Sequence, residues 1–399
     1  MDLKAAKTLL LRQRIEVPSW GFANSGTRFG TFAQDGAART LEEKLDDAAT
    51  VHRLTGITPT VALHIPWDGS PDSDWDGVAR YAAERGVAIG SINPNVFQDQ
   101  CYKFGSFGNP DASVRQRAVQ AHLDCCAIAE ATGSDTISLW YADGTNYPGQ
   151  DDFRARKHRF EACLAEVYAA LPAGARMLLE YKFFEPAFYH TDLPDWGTSL
   201  LMCSKLGERA QVLVDTGHHP QGCNIEHIVA TLLDEKRLGG FHFNARKYAD
   251  DDLTVGSIDP YETFLIFTEL VKAGLDPDEE LRTATGRVAY MFDQSHNLKH
   301  KIEATLQSAL FVQQTYAKAL LVDYKALRVA QDSCDLLQAE EILRAAFNAD
   351  VRALCAEVRS ELGAEADPIA AYRASGLKEQ AARERVARHG EAVVGSGYQ

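Results

Sequence analysis

With 399 residues, 45% hydrophobic and 24% charged, the chain has an ordinary globular composition and enough apolar surface for a large core. A formal net charge of −15 argues against unspecific nucleic-acid binding, which needs cationic surface to neutralise phosphates. No run approaches the ~18 uninterrupted apolar residues of a membrane span, the N-terminal stretch lacks a signal peptide's apolar core, and eight cysteines without a CxxC pair suit a reducing cytoplasm.

Short β-like runs alternate with longer amphipathic ones. In chain order they read strand 16–21, helix 41–54, strand 60–65, helix 75–85, strand 87–92, helix 112–131, strand 136–141 and helix 153–170. Strand 176–181, helix 195–206, strand 211–215, helix 225–236, strand 240–244, helix 260–273, strand 288–293 and helix 301–321 complete the series. Eight such units predict an α/β fold, a (β/α)8 TIM barrel of parallel strands, over residues 1–322. Beyond it strand signals stop. Residues 324–362 read as helix with a further turn at 367–375, so 323–399 is expected to be an appended helical arm with a frayed end at 390–399.

Acids and histidines recur at the ends of the later strands. Glu180 follows MLL, Asp215 follows VLV, His242 follows GGF and Asp293 follows AYMF. In a (β/α)8 barrel the strand C-terminal ends form the functional mouth, so these four should converge there. Three carboxylates with one imidazole suit Mn²⁺, Mg²⁺, Co²⁺ or Zn²⁺ better than a thiolate site would. His218, three residues after Asp215, adds a second cluster with Asp250 and Asp252. Residues two apart in an extended loop can point the same way, so these two aspartates can grip one ion while Asp251 faces elsewhere. If Glu180 bridges, two ions fit. Taken singly, each residue has an ordinary reading as turn former, helix cap, core histidine or solvated loop; their joint placement at one end of four consecutive strands points to a metal site.

Longer strings carry a family resemblance. LHIPWD at 63–68, LWYADGTNYPGQ at 139–150, EYKFFEPAFY at 180–189, LVDTGHH at 213–219, GGFHFNARKYADDDL at 239–253 and FDQSHN at 292–297 resemble the L-rhamnose isomerases. The match is to their broad-specificity bacterial sugar isomerase branch, within the xylose-isomerase-like barrels. It runs from PSWG at 18–21 through AYRASG at 371–376.

The resemblance implies a metal-dependent aldose–ketose isomerase acting on L-rhamnose and related aldoses by a 1,2-hydride shift, with a cis-enediol route through a carboxylate or histidine base as the alternative, and with two divalent ions per subunit, Mn²⁺ first among them. Glu180, Asp215, His242 and Asp293 correspond to a structural metal site; Glu180, His218, Asp250 and Asp252 correspond to a catalytic one. His64 matches the histidine near the sugar ring oxygen, and Lys182 the lysine beside O1. Trp20, Trp67 and Trp140 match the aromatic walls of the sugar pocket. The family also suggests a cytoplasmic homotetramer whose partner is a small sugar, with no nucleic acid or membrane involved, and a role for the Gly-rich loop 25–32 as a lid or an arm to a neighbouring subunit.

The residues themselves add to this. Lys182 shares a strand face with Glu180, and a buried lysine there is costly unless paired. Indole faces pack on sugar C–H surfaces, although large aromatics also fill cores. His219 and His296 read as structural. Two departures stand out: the segment before PSWG is shorter than in the family, which implies a missing or trimmed N-terminal helix, and Ala245 replaces an aspartate common after FHFN. The alternative activity is a ketose 3-epimerase, which would need a second glutamate flanking one metal. A zinc endonuclease fits this acidic chain poorly, and a sugar-binding protein gives no reason for so many metal ligands.

Overall fold

The βα rhythm closes on itself. In a computed structural model that describes residues 3–24, 26–27, 30–185, 189–248 and 252–392, eight parallel strands form a closed barrel. They are β1 (Glu16–Pro18), β2 (Thr60–Ile65), β3 (Ala88–Pro94), β4 (Thr136–Leu139), β5 (Arg176–Glu180), β6 (Ala210–Asp215), β7 (Leu238–Phe243) and β8 (Ala289–Phe292). Each pairs with its neighbours in sequence, and β8 closes the ring against β1 with Glu16 opposite Met291.

The crossover helices start where side chains can satisfy the orphaned backbone N–H groups. Thr40, Asp111, Asp152, Asp195, Asn224 and Asp259 each accept a hydrogen bond from an N–H two or three residues on. Such caps contribute on the order of 1 kcal/mol apiece. They stop the loops and fix where each helix turns back over its strand.

The barrel interior is layered, and the layering positions the site. Leu178, Leu213 and Met291 form a buried apolar plug, none more than 2% exposed. Gly240 leaves room for it: an added Cβ would stand 3.1 Å from Leu178 Cδ1 and 3.1 Å from the Ala289 carbonyl oxygen. Below the plug, the Arg176 guanidinium donates to Gln211 Oε1 and to the carbonyl oxygens of Gly239 and Arg287. Side chains alternate along a strand, so the residues two beyond Leu178, Leu213, Gly240 and Met291 also point inward, one level higher. Those residues are Glu180, Asp215, His242 and Asp293. Outward-facing Phe243 stacks instead on Phe267 of the helix Pro260–Gly274, with ring centroids 5.4 Å apart.

Several expectations need correction. The first strand ends at Pro18 rather than at 21, because Ser19–Phe22 turns into a 3-10 helix that swings Trp20 over the mouth. The stretch 324–362 is three helices, Tyr324–Asp332, Leu336–Phe347 and Arg352–Glu361. Left-handed Cys334 (φ 57°) breaks the first run, and the Asp335 side chain caps the next by accepting from Gln338 N. Helices Leu3–Leu10 and Glu279–Gly286 were not expected, and the helix Leu377–His389 falls within the expected helical arm without having been read individually.

The C-terminal helices clasp the outside of the barrel. Arg385 reaches Asp47 at 2.7 Å on the helix Leu41–Thr55, and Arg359 donates to Gln313 at 2.6 Å on the helix Lys301–Leu320. In the loop expected to act as a lid, Gly26–Thr27 and Gly30–Thr31 pair as a small antiparallel ribbon; Ser25, Arg28 and Phe29 lie outside the described residues. Among the described residues, no helix is long and apolar enough to cross a membrane.

Candidate metal centre and substrate pocket

Inward parity and closure bring four donors together. Glu180, Asp215, His242 and Asp293 each offer one ligand atom, and these atoms lie within 4.8 Å of one another. His242 Nδ1 stands 3.2 Å from Glu180 Oε2, 3.7 Å from Asp293 Oδ2 and 4.0 Å from Asp215 Oδ2. His218 adjoins the group, with Nδ1 3.1 Å from Glu180 Oε1 and 3.2 Å from the Tyr181 carbonyl oxygen.

The electrostatics are those of a strongly interacting cluster. Burial alone would push the Glu180 carboxyl up, but the imidazoles of His242 and His218 outweigh it and hold it below the ordinary carboxylate range. His242 is raised to about 9: burial disfavours its cation, yet Glu180, Asp293 and Asp215 surround it with negative charge. Glu180 Oε1 and His242 Nδ1 are nevertheless buried without a well-aligned hydrogen bond. Unsatisfied buried donors and acceptors cost about 1–3 kcal/mol each, so their convergence calls for a bound partner. A divalent cation fits this oxygen-rich set with its single imidazole.

Neighbouring groups hold the donors in place. Asn244 Nδ2 donates to Asp215 Oδ1 at 3.0 Å and Oδ2 at 3.1 Å, and Gly217 N donates to Oδ1 at 2.6 Å. The close approach leaves no room for a side chain at 217, where a Cβ would stand 2.6 Å from Asn244 Oδ1. Trp20 Nε1 donates to Asp293 Oδ1 at 2.9 Å. Trp20 is therefore tied to a donor as well as forming a wall.

Beside this charged half lies an aromatic one. His64 stacks on Trp67 at 3.9 Å and meets Trp20 edge-on at 5.6 Å. Phe97 bridges Trp67 at 6.2 Å and Trp140 at 4.9 Å. Burial, helped by the Lys44 ammonium, lowers His64 to about 3, so its imidazole is neutral at physiological pH. Its Nδ1 and Trp140 Nε1 are buried and unpartnered. The Lys182 ammonium stands 5.1 Å over the Trp140 ring and 2.9 Å from Glu185 Oε2. His219 sits behind the site, its Nε2 2.6 Å from the Tyr181 hydroxyl.

Of the second expected donor set, His218 and Glu180 meet. Asp252 occupies the adjoining loop with a left-handed φ of 46° and stands outside the four-donor group. Asp250 lies outside the described residues. That loop is pinned by reciprocal backbone bonds of 2.9 Å between Ala245 and Leu253.

Three residues of the site were not read from the sequence. Phe97 completes the aromatic wall from the loop after β3, and Asn244 orients Asp215. Asp68 accepts from the His64 backbone N at 2.7 Å and from Ser19, and pairs with buried Lys44. The signals were faint but present: Asn244 and Asp68 each close a motif, FHFN and HIPWD, that begins at a site strand.

The chain is similar to known proteins. The chain is 44% identical to a probable sugar isomerase of Rhizobium meliloti (strain 1021), over 100% of this chain and 91% of the relative. It is 45% identical to a probable sugar isomerase of Mesorhizobium japonicum, over 94% of this chain and 86% of the relative. Among solved structures, an L-ribulose 3-epimerase superposes with a TM-score of 0.57 at 17% identity, covering 77% of this chain and 96% of that one, a likeness of fold alone. Residues 55–269 match the family described as xylose isomerase-like TIM barrel, and with its closed eight-stranded barrel and its relatives the chain belongs to that family.

Proposed function

We propose that the protein is a metal-dependent aldose–ketose isomerase of the L-rhamnose isomerase type. The observation that carries this reading is the buried four-donor group at the strand ends, flanked by the Lys182 ammonium and by a wall of half-buried indoles. The naming of two relatives as probable sugar isomerases supports it.

Glu180, Asp215, His242 and Asp293 would hold one divalent ion; Glu180, His218, Asp250 and Asp252 would hold a second, with Mn²⁺ the first choice for both. When bound, such ions supply Lewis acidity toward the sugar's hydroxyl and carbonyl oxygens. The chain's own groups do the rest. Trp20, Trp67, Phe97 and Trp140 cover the C–H faces of the sugar and exclude water. Neutral His64 assists ring opening: its imidazole takes the proton of the anomeric hydroxyl as the bond between C1 and the ring oxygen breaks, and returns that proton to the freed oxygen. Lys182 donates to O1 as charge develops there. From aldose to ketose, hydrogen moves with its electron pair from C2 to C1, while the proton on O2 passes to O1.

A ketose 3-epimerase is the second reading, and the donor group argues against it. Among the described donors only one is a glutamate, Glu180, where epimerisation across C3 needs a pair. The deciding experiment incubates Mn²⁺-loaded protein with L-rhamnose, L-mannose, L-lyxose and D-allose and follows ketoses and C3 epimers together. L-Rhamnulose formation is expected; C3 epimers without aldose–ketose exchange would overturn the assignment.

A further inference from the structure

A second cavity lies at the opposite, N-terminal pole. About 610 Å³ in volume, it opens between the β8–β1 wall and the helices Pro260–Gly274, Glu279–Gly286 and Lys301–Leu320. Phe267, Leu270, Val271 and Leu320 give it apolar walls. Tyr290, stacked 6.1 Å from the Phe267 ring, and Tyr316 also face it, and neither hydroxyl hydrogen-bonds to another described residue. Gln13 is only 8% exposed, yet its Oε1 has no hydrogen-bond partner. A buried amide oxygen left unpaired is costly, and Gln13 is one of the residues that line this cavity.

The rim is cationic. Arg12, Arg14 and Arg282 line it; the latter two are steadied by backbone carbonyls, Arg14 by Leu11 and Gln13, Arg282 by Asp276 and Pro277. None of the three pairs with a carboxylate among the described residues, in a chain where 56 acids outnumber 41 bases. The one carboxylate in the lining, Glu16, is turned to the barrel interior, where it accepts from Ser91 N at 3.0 Å and from Ser91 Oγ. Unpaired guanidiniums around an apolar hollow complement an anion that carries a hydrocarbon body.

We propose that this cavity is a second ligand site, separate from the sugar pocket, for a small organic anion with an aromatic or branched hydrocarbon body. The body lies against Phe267, Leu270 and Tyr290, and the anionic end meets the arginines. The inference does not depend on the isomerase reading.

The test is fluorescence titration of the full, Mn²⁺-loaded chain, first without and then with excess L-rhamnose, using 8-anilinonaphthalene-1-sulfonate and its uncharged parent N-phenyl-1-naphthylamine. One saturable site for the anion is expected, with the neutral parent bound at least about tenfold more weakly, since a charge-assisted contact is lost. A Cβ added at Gly286 meets nothing within 4 Å, and one at Gly274 meets only Thr285 Cγ2 at 3.9 Å. Gly286→Phe and Gly274→Phe should therefore fill the hollow and weaken the anion at least about tenfold without lowering the melting temperature. Arg14→Gln should close the gap between charged and neutral probes. Absence of saturable binding, equal affinity in a well-folded filled variant, or displacement of the probe by L-rhamnose would each overturn the proposal.

Discussion

The mouth of the barrel is built from two unlike halves. Strands β5 to β8 end in Glu180, Asp215, His242 and Asp293, packed so closely that charges shift one another. The side from β1 to β4 ends in Trp20, His64, Trp67, Phe97 and Trp140, rings touching rings. One half suits a cation and developing negative charge; the other suits the C–H face of a sugar. The interior beneath repeats the contrast. Leu178, Leu213 and Met291 underlie the charged half, whereas buried Glu16 with Ser91 lies on the β1–β3 side, and Gly90 is open for it because a Cβ there would collide with the Glu16 carboxylate.

The comparison implies that substitutions in the charged half remove turnover, whereas those in the aromatic half loosen the substrate. The largest effect is expected from Asp215→Asn or exhaustive chelation: bound metal and isomerisation should both disappear, with Mn²⁺ or Co²⁺ restoring only the chelated wild type. Full activity in metal-free protein would refute the division. His218→Asn and Asp252→Asn should each lower kcat by about 10³-fold with an unchanged melting temperature, the loss of several kcal/mol of charge stabilisation. Near-normal turnover in either variant removes that residue from the reaction.

Lys182→Met should lower kcat by about 10²–10³-fold, as when one donor to a developing oxyanion is removed, while KM changes little. A change confined to KM would mean that Lys182 holds the sugar without acting on the developing charge. Asn244→Leu should weaken metal affinity by about 10–100-fold, measured by titration of the stripped protein, because Asp215 loses the amide that orients it. Smallest, Trp67→Ala should raise KM by about tenfold with kcat nearly kept, the worth of one stacking face. An equal fall in kcat would instead mean that the indole acts in the transition state, through its 3.9 Å stack on His64.

Much of this was legible in the sequence because strand periodicity is local. A residue two beyond a buried leucine faces the same way, so MLLE and VLVD each announce an inward carboxylate without reference to any other strand. Polar N-caps likewise declare the helix starts, and seven of the eight crossover helices begin at the residue expected from the sequence. Other features were hidden. The helix Glu279–Gly286 is too short for its periodicity to stand out from a loop. Phe97 lies outside any strand, and its place between Trp67 and Trp140 follows from how three separate loops pack. The cationic cavity at the far pole could not be read at all, since Gln13, Tyr290 and Tyr316 share no spacing.

The sequence by itself determined the parity of each strand, the order of strands and helices, and therefore which side chains point into the barrel. Only the tertiary structure decided which of them touch. Closure of β8 against β1 lays Trp20 on Asp293 across 273 residues, and the register that sets Asp215 beside His242 brings four donors within 4.8 Å. Direction is fixed by a residue's immediate neighbours through backbone sterics; distance is fixed by the ring as a whole, because every strand's place depends on the seven others.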